Sequence, residues 1–196
     1  MGKRNETKAR MLAATARLLL TQGFNGTGMK QIVTESGTPW GSLYFHFPGG
    51  KEQLAAEAIR VAGERTAEAI RGFLASPGDV AAAIEAYAES AGTTLRATGF
   101  TEGCPVATVA LEAAAISEPI RSACDDAFSA WWSLLAEGLR AAGAEPPGAD
   151  ELAMLVLSAI EGALIISRAR KDTTALEAVV RRLVPLVRAA CTGERT

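Results

Sequence analysis

Residues 27–54 read T-G-M-K-Q-I-V-T-E-S-G-T-P-W-G-S-L-Y-F-H-F-P-G-G-K-E-Q-L. The spacing predicts two short helices around a tight Ser36-Gly37 turn, then a glycine-marked break and a third helix. Met29, Ile32 and Val33 give the first helix one apolar face, and Leu43 and Phe47 repeat at i, i+4 on the second. Gly37 stands where a helix ends in a left-handed conformation. Thr38 is then expected to N-cap the next helix, with Pro39 in its first turn, where a missing N–H costs nothing. Two helices joined by a short Gly-containing turn form a helix-turn-helix, whose second helix enters the DNA major groove.

On either side the pattern stays helical. Residues 5–22 carry Ala9, Leu12, Ala16, Leu19 and Leu20 on one side, and Gly23 ends that helix before an Asn25-Gly26 turn. A connecting helix is expected from Lys51 to about Leu74, closed by Ser76-Pro77-Gly78. Asp79 caps a fifth helix to about Thr98, and Pro105 opens a sixth through Ile116. A seventh runs from the Ser117-Glu118-Pro119 restart to near Ala142. Pro146-Pro147-Gly148 is the clearest break in the chain. Two last helices follow, Asp150 to Arg170 and Thr174 to Cys191, the second expected to kink at Pro185. The fold class is therefore all-α, about nine helices. A helix-turn-helix domain is expected over residues 1–50 and a helical ligand-binding and dimerisation domain over 51–196.

Composition agrees with that class. The 196 residues are 48% apolar, long enough for one or two real cores. The net charge of −2 is unevenly spread. Through Lys51 there are seven basic residues (Lys3, Arg4, Lys8, Arg10, Arg17, Lys30, Lys51) against Glu6 and Glu35, a local +5 that leaves −7 for the rest. A basic head on an acidic body is the asymmetry expected when one end faces phosphates. No run reaches the ~18 uninterrupted apolar residues of a membrane span. The nearest, Leu152 to Ile166, is broken by Glu161 and reads as a buried helix. The start lacks a signal-peptide pattern. Cys104, Cys124 and Cys191 lie far apart, which fits reduced thiols and a cytoplasmic location. His46 is the only histidine, which excludes a His-based metal cluster or a Ser-His-Asp triad elsewhere. Neither a cofactor nor enzymatic activity is expected.

Residues 9–54 resemble the DNA-binding domain of TetR-family transcriptional repressors. The matching positions are Ala16, Leu19, Gly23, Phe24, Thr27, Ile32, Gly37, Gly41, Leu43, Tyr44, His46, Phe47, Lys51 and Leu54. The P-G-G-K-E-Q-L ending and G-C-P at 103–105 further resemble the LmrA/YxaF-like branch. The chain departs from the family at Gly28, often Thr or Ser, at Val33, usually Ala, and at Pro39-Trp40, where Ser-Lys is common. The resemblance implies a dimer formed through the helices near 150–170 and 174–191, binding double-stranded operator DNA and a small-molecule effector.

Candidate sites follow from residue chemistry within this frame. Thr38, Pro39, Trp40, Gly41 and Ser42 begin the recognition helix, where side chains reach base edges. Ser and Thr hydroxyls bond several bases, and a Trp ring packs on a thymine methyl. Tyr44, Phe45 and His46 continue it, the tips of Tyr44 and His46 suited to phosphate oxygens. Thr27 is expected to cap the second helix and offer its hydroxyl to a phosphate, with Lys30 and Lys51 as the cations. In the body, Phe73, Tyr87, Phe100, Cys104, Phe128, Trp131, Trp132 and Glu161 are the candidate effector-binding residues. Glu112 is a second candidate carboxylate. Trp131 and Trp132 point about 100° apart on one helix, so one is expected in a cavity and the other against a neighbour. Two other functions compete: a thiol-based redox regulator using Cys104 or Cys124, and a helical small-molecule-binding protein without a DNA role.

Overall fold

A computed structural model describes residues 3–76 and 79–192, and within these the chain forms nine α-helices in the order read from the sequence. They are α1 (Lys3–Gly26), α2 (Met29–Ser36), α3 (Trp40–His46), α4 (Gly50–Leu74), α5 (Val80–Ala97), α6 (Pro105–Ala113), α7 (Glu118–Ala141), α8 (Gly148–Arg170) and α9 (Thr174–Thr192). The expected close of α4 at Pro77-Gly78 lies outside the described residues. Two compact units result, one of residues 1–65 with 104–128, the other of 66–103 with 129–196. Helices α4 and α7 each contribute a segment to both.

The first unit is built on Met11, Leu18, Ile32, Leu43, Phe47 and Leu54, with Leu12, Met29 and Val33 packed against them. Each fully buried side chain of this size contributes ~1.5–3 kcal/mol relative to exposure. Helix α1 is not continuous. Gly23, at φ 70°, breaks it before Asn25-Gly26. The left-handed backbone at Gly23 favours glycine, and a Cβ there would push aside the Glu112 carboxylate of α6.

The turn between α2 and α3 forms as the sequence suggests. Gly37 takes the left-handed conformation (φ 59°, ψ 36°), and its N–H bonds the Thr34 carbonyl. Arg10 of α1 closes the turn, its Nε donating to the Ser36 carbonyl at 2.9 Å and its Nη2 to the Ser36 and Gly37 carbonyls. A cation is thereby seated on the carbonyl end of α2, where the helix dipole favours it.

Two caps differ from expectation. Gly28, not Thr27, is the N-cap of α2, and the buried Thr27 hydroxyl donates to the Gly23 carbonyl at 2.6 Å. Helix α3 starts one residue later than Thr38 capping requires. Pro39 is its N-cap, and the buried Thr38 hydroxyl bonds Ser36 Oγ at 2.7 Å.

The second unit packs α8 on α9, α9 on α5, and α5 on α8. Asp79 caps α5, accepting from the Ala82 N–H at 2.7 Å, as its sequence position suggests. Helix α6 ends at Ala113, three residues short of the expected Ile116, which is exposed. Helix α9 runs unbroken through the exposed Pro185. The expectation of a buried α8 needs correction. Val156, Ile160, Ala163, Leu164 and Ser167 are buried, but Met154, Leu155, Ile165 and Ile166 are about half exposed. By length and mean hydropathy α8 would also pass for a membrane span, and it is the only described helix that does. Its packing on α5 and α9 places it in the helical unit instead.

Replacing Gly37 by Ala should destabilise the first unit by ~1–2 kcal/mol, the cost of a left-handed non-glycine residue. The new Cβ would also crowd Arg10 Nη2 at 2.8 Å. Urea unfolding followed by circular dichroism tests this, and an unchanged midpoint would show that the turn is not the constraint described.

Candidate DNA-binding surface and effector cavity

Helix α3 is anchored by one side and presents the other. Leu43 and the following Phe47 are wholly buried, while Trp40, Tyr44 and Phe45 are 47%, 53% and 59% exposed. Trp40 and Tyr44, one turn apart, meet edge to face with ring centroids 6.3 Å apart. Phe45 stands edge-on to His46 at 5.1 Å, and His46 is tilted against Phe47 at 6.2 Å. Pro39 and Gly41 are exposed and Ser42 is half-buried. A Cβ at Gly41 would meet nothing within 4 Å. Of the sequence-derived DNA set, the structure thus brings Pro39, Trp40, Gly41, Ser42, Tyr44, Phe45 and His46 onto one short helix and its entry. Thr27 and Thr38 point inward, with hydroxyls engaged.

Most of the positive charge counted in the head is held inside it. Lys8 pairs with Glu57 at 2.7 Å and lies 5.5 Å from the Phe47 ring centre. Arg17 pairs with Glu35, whose carboxyl is held below its ordinary value by hydrogen bonds from Arg17 and Gln31. Arg10 is spent on the α2 carbonyls. Lys51 sits in the first turn of α4 with Nζ 4.3 Å from the Phe24 ring centre. Partial burial lowers its pKa, with the nearby Glu112 carboxylate opposing that shift. Lys30 of α2 is exposed. The side chains of Lys3 and Arg4 fall outside what is described.

Glu112 belongs to this unit and not to a cavity. Its Oε2 accepts from the Asn25 N–H at 2.8 Å, just past the Gly23 break. Ser117 Oγ donates to Glu52 Oε2 at 2.6 Å. Helix α6 and its exit therefore grip both the end of α1 and the start of α4.

The second unit contains a narrow cavity of about 30 Å³, room for about one water. Its walls are Ile70 and Leu74 of α4, Ala83, Ile84 and Tyr87 of α5, Trp131 and Leu135 of α7, and Val156, Leu157, Ile160 and Glu161 of α8. Three sequence candidates converge here: Tyr87, Trp131 and Glu161. Phe73 stacks edge-on against Tyr87 at 5.9 Å without lining the cavity. Trp132 turns away, its Nε1–H donating to the Asp150 carbonyl at 2.9 Å. Phe100 sits in the loop after α5 with φ 62°. Cys104 and Phe128 fall in the first unit. The aliphatic walls were absent from the sequence-derived set, yet they carry a signal. Ile70–Leu74, Trp131–Leu135, Val156–Ile160 and Leu157–Glu161 are all i, i+4 pairs.

The thiols are unequal. Cys104 is the N-cap of α6 and its sulfur accepts from the Ala107 N–H at 3.4 Å. Cys124 is buried and donates to the Val106 carbonyl at 3.8 Å, and burial pushes its pKa up to about 11. Burial and the charge of Asp79 also raise that of Cys191.

Residues 11–58 match the family described as bacterial regulatory proteins, tetR family. Residues 80–182 match the transcriptional regulator LmrA/YxaF-like, C-terminal domain. The chain is a TetR-family transcriptional regulator. It is 39% identical over 171 residues to the HTH-type transcriptional regulator LmrA of Bacillus subtilis, covering 87% of this chain and 91% of that one. It is 36% identical over 188 residues to the regulator YxaF of the same organism, covering 96% and 98%. The crystal structure of a regulatory protein TetR from Rhodobacter sphaeroides superposes with a TM-score of 0.81 at 20% identity, covering 90% of this chain and 96% of that one, and shares the fold. The LmrA/YxaF-like branch suggested by the P-G-G-K-E-Q-L and G-C-P segments is thus the one this TetR-family chain belongs to.

Cys124 should resist alkylation in the native protein, because at pH 8 only about one such thiol in a thousand is ionised when its pKa is near 11. Iodoacetamide labelling read by peptide mass spectrometry should modify Cys104 first. Equal labelling of Cys124 without denaturant would contradict the burial described.

Proposed function

We propose that this regulator is a repressor that binds a palindromic operator as a homodimer and is released by a small, largely apolar effector held in the α4–α5–α7–α8 cavity. The observation that carries this reading is the apolar lining between these helices, with Tyr87, Trp131 and Glu161 among aliphatic side chains, around a narrow cavity that an effector would widen on entering. Ligand sites are mostly apolar with a few placed polar groups. Family membership supplies the DNA-binding half of the reading.

The dimer is supported by the outer face of the last two helices. Met154, Leu155, Ile165 and Ile166 of α8 and Leu186 of α9 are all large, apolar and about half exposed. Contiguous apolar surface of this kind marks association. Ser158 and Gly162, between them on α8, leave room for a helix to approach closely. Sedimentation should report a dimer for the native chain and a monomer for Leu155→Glu/Ile166→Glu, with loss of the two-fold-symmetric footprint on an operator. A native monomer protecting one asymmetric half-site would sink the proposal.

Release is proposed to act through α4. Lys51 and Glu52 begin this helix in the first unit, while Ile70 and Leu74 near its end line the cavity. An effector shifts an equilibrium only by its differential affinity for the two states, so a few kcal/mol of preference for the released form is required. Leu157→Phe, placed to reduce the cavity without emptying the core, should abolish the effector response while leaving operator affinity within about twofold, ~0.4 kcal/mol. Measuring operator binding with and without effector decides this. An unchanged response in Leu157→Phe, together with its loss in Cys104→Ser, would favour a thiol switch at the α6 N-cap instead.

A further inference from the structure

The exposed face of α3 lacks the side chains that usually read bases. Its sequence is W-G-S-L-Y-F-H, with no Arg, Lys, Asn, Gln, Asp or Glu. Guanine is commonly read by a bidentate Arg or Lys, adenine by Asn or Gln, and cytosine by a carboxylate. None of these is available from this helix. What α3 offers instead is Trp40 and Tyr44 in edge-to-face contact, with Phe45 beside them, all about half exposed. One feature of a major-groove base edge is apolar, the 5-methyl group of thymine.

We infer that Trp40, supported by Tyr44, is a specificity-determining residue that selects operator sites by packing on thymine 5-methyl groups. The supporting geometry is local. Leu43 and the following Phe47, buried one turn along from Trp40 and Tyr44, pin the adjacent inner side of α3 into the core and leave the two rings at its exposed margin. Gly41, next to Trp40, has nothing within 4 Å of where a Cβ would stand, so the backbone can come close to the base edges. Ser42 contributes one half-buried hydroxyl that bonds any of several bases and adds little discrimination of its own. Exposed Lys30 on α2 is a cation able to take a phosphate without reading sequence. With the Tyr44 and His46 tips suited to phosphate oxygens, the base selectivity that α3 offers falls to apolar contact.

The inference rests on the operator reading above, and one selection experiment separates the two. The full-length protein is used to select sites from a random-sequence duplex library, and the selected sites are remade with deoxyuridine in place of thymidine. Uracil keeps every hydrogen-bonding group of thymine and lacks only the methyl. The wild-type protein should bind the uracil form about fourfold more weakly per contacted methyl, the value of one buried carbon, and roughly an order of magnitude more weakly when two half-sites contribute. Deoxyuridine outside the footprint should have no effect. Trp40→Ala, an exposed position whose folding is checked by circular dichroism, should bind both forms alike. Trp40→Phe should keep part of the preference. Equal wild-type affinity for the two forms, or a full preference retained in Trp40→Ala, would overturn this inference while leaving operator binding intact. Absence of enrichment from the library would overturn the operator reading and this inference with it.

Discussion

The presentation of α3 depends on a turn that two groups hold in place. Gly37 accepts a left-handed backbone that any other residue would resist, and Arg10 reaches from α1 to bond the carbonyls on either side of that turn. Each alone would leave polar groups at the end of α2 without partners. Together they set where α3 begins. The core pair Leu43 and Phe47 then sets its rotation, and Trp40, Tyr44 and Phe45 stand about half exposed beside the anchored side. Arg10 shows how a basic residue in a DNA-binding head can serve the fold first. Its guanidinium forks over planar carbonyl groups in a way that a lysine ammonium does not reproduce.

The same point explains why the fold was more legible than the site. Helix order, the Gly37 turn and the Leu43–Phe47 anchor depend on local spacing, which a sequence displays directly. Caps depend on where a helix starts to within one residue. Thr27 and Thr38 each miss the cap position by one and turn inward, Thr27 to the Gly23 carbonyl and Thr38 to Ser36. Charge is harder still. A surplus of basic residues over 1–51 suggests a free positive surface, but several of the partners that engage it lie beyond that stretch. Glu57 takes Lys8, and Glu112 lies near Lys51 from sixty residues away. Exposed pairs such as Arg17–Glu35 add little stability.

Three of the aromatic and carboxylate candidates, Tyr87, Trp131 and Glu161, line the cavity, whereas its aliphatic walls carry no chemistry that sets them apart in the sequence. Trp131 and Trp132 illustrate the limit. Helical geometry required them to diverge, and which one faces inward was decided by a partner eighteen residues on, the Asp150 carbonyl that receives the Trp132 indole N–H. Trp131 is wholly buried among the mainly aliphatic walls of the cavity.

Helix α6 supplies the remaining link in the first unit. It touches the head through a carboxylate at a backbone N–H freed by the Gly23 break, and through a serine at the carboxylate of Glu52. These are polar, directional contacts in a region otherwise held by apolar packing. Apolar contacts tolerate small slides, whereas a hydrogen bond to a charged oxygen weakens steeply with distance and angle. Glu112 is also the carboxylate nearest in effect to Lys51, which stands over Phe24 at the start of α4. One side chain thus senses the end of α1 and the beginning of α4 together. A displacement of α6 relative to α1 would change both the Asn25 hydrogen bond and the charge felt by Lys51.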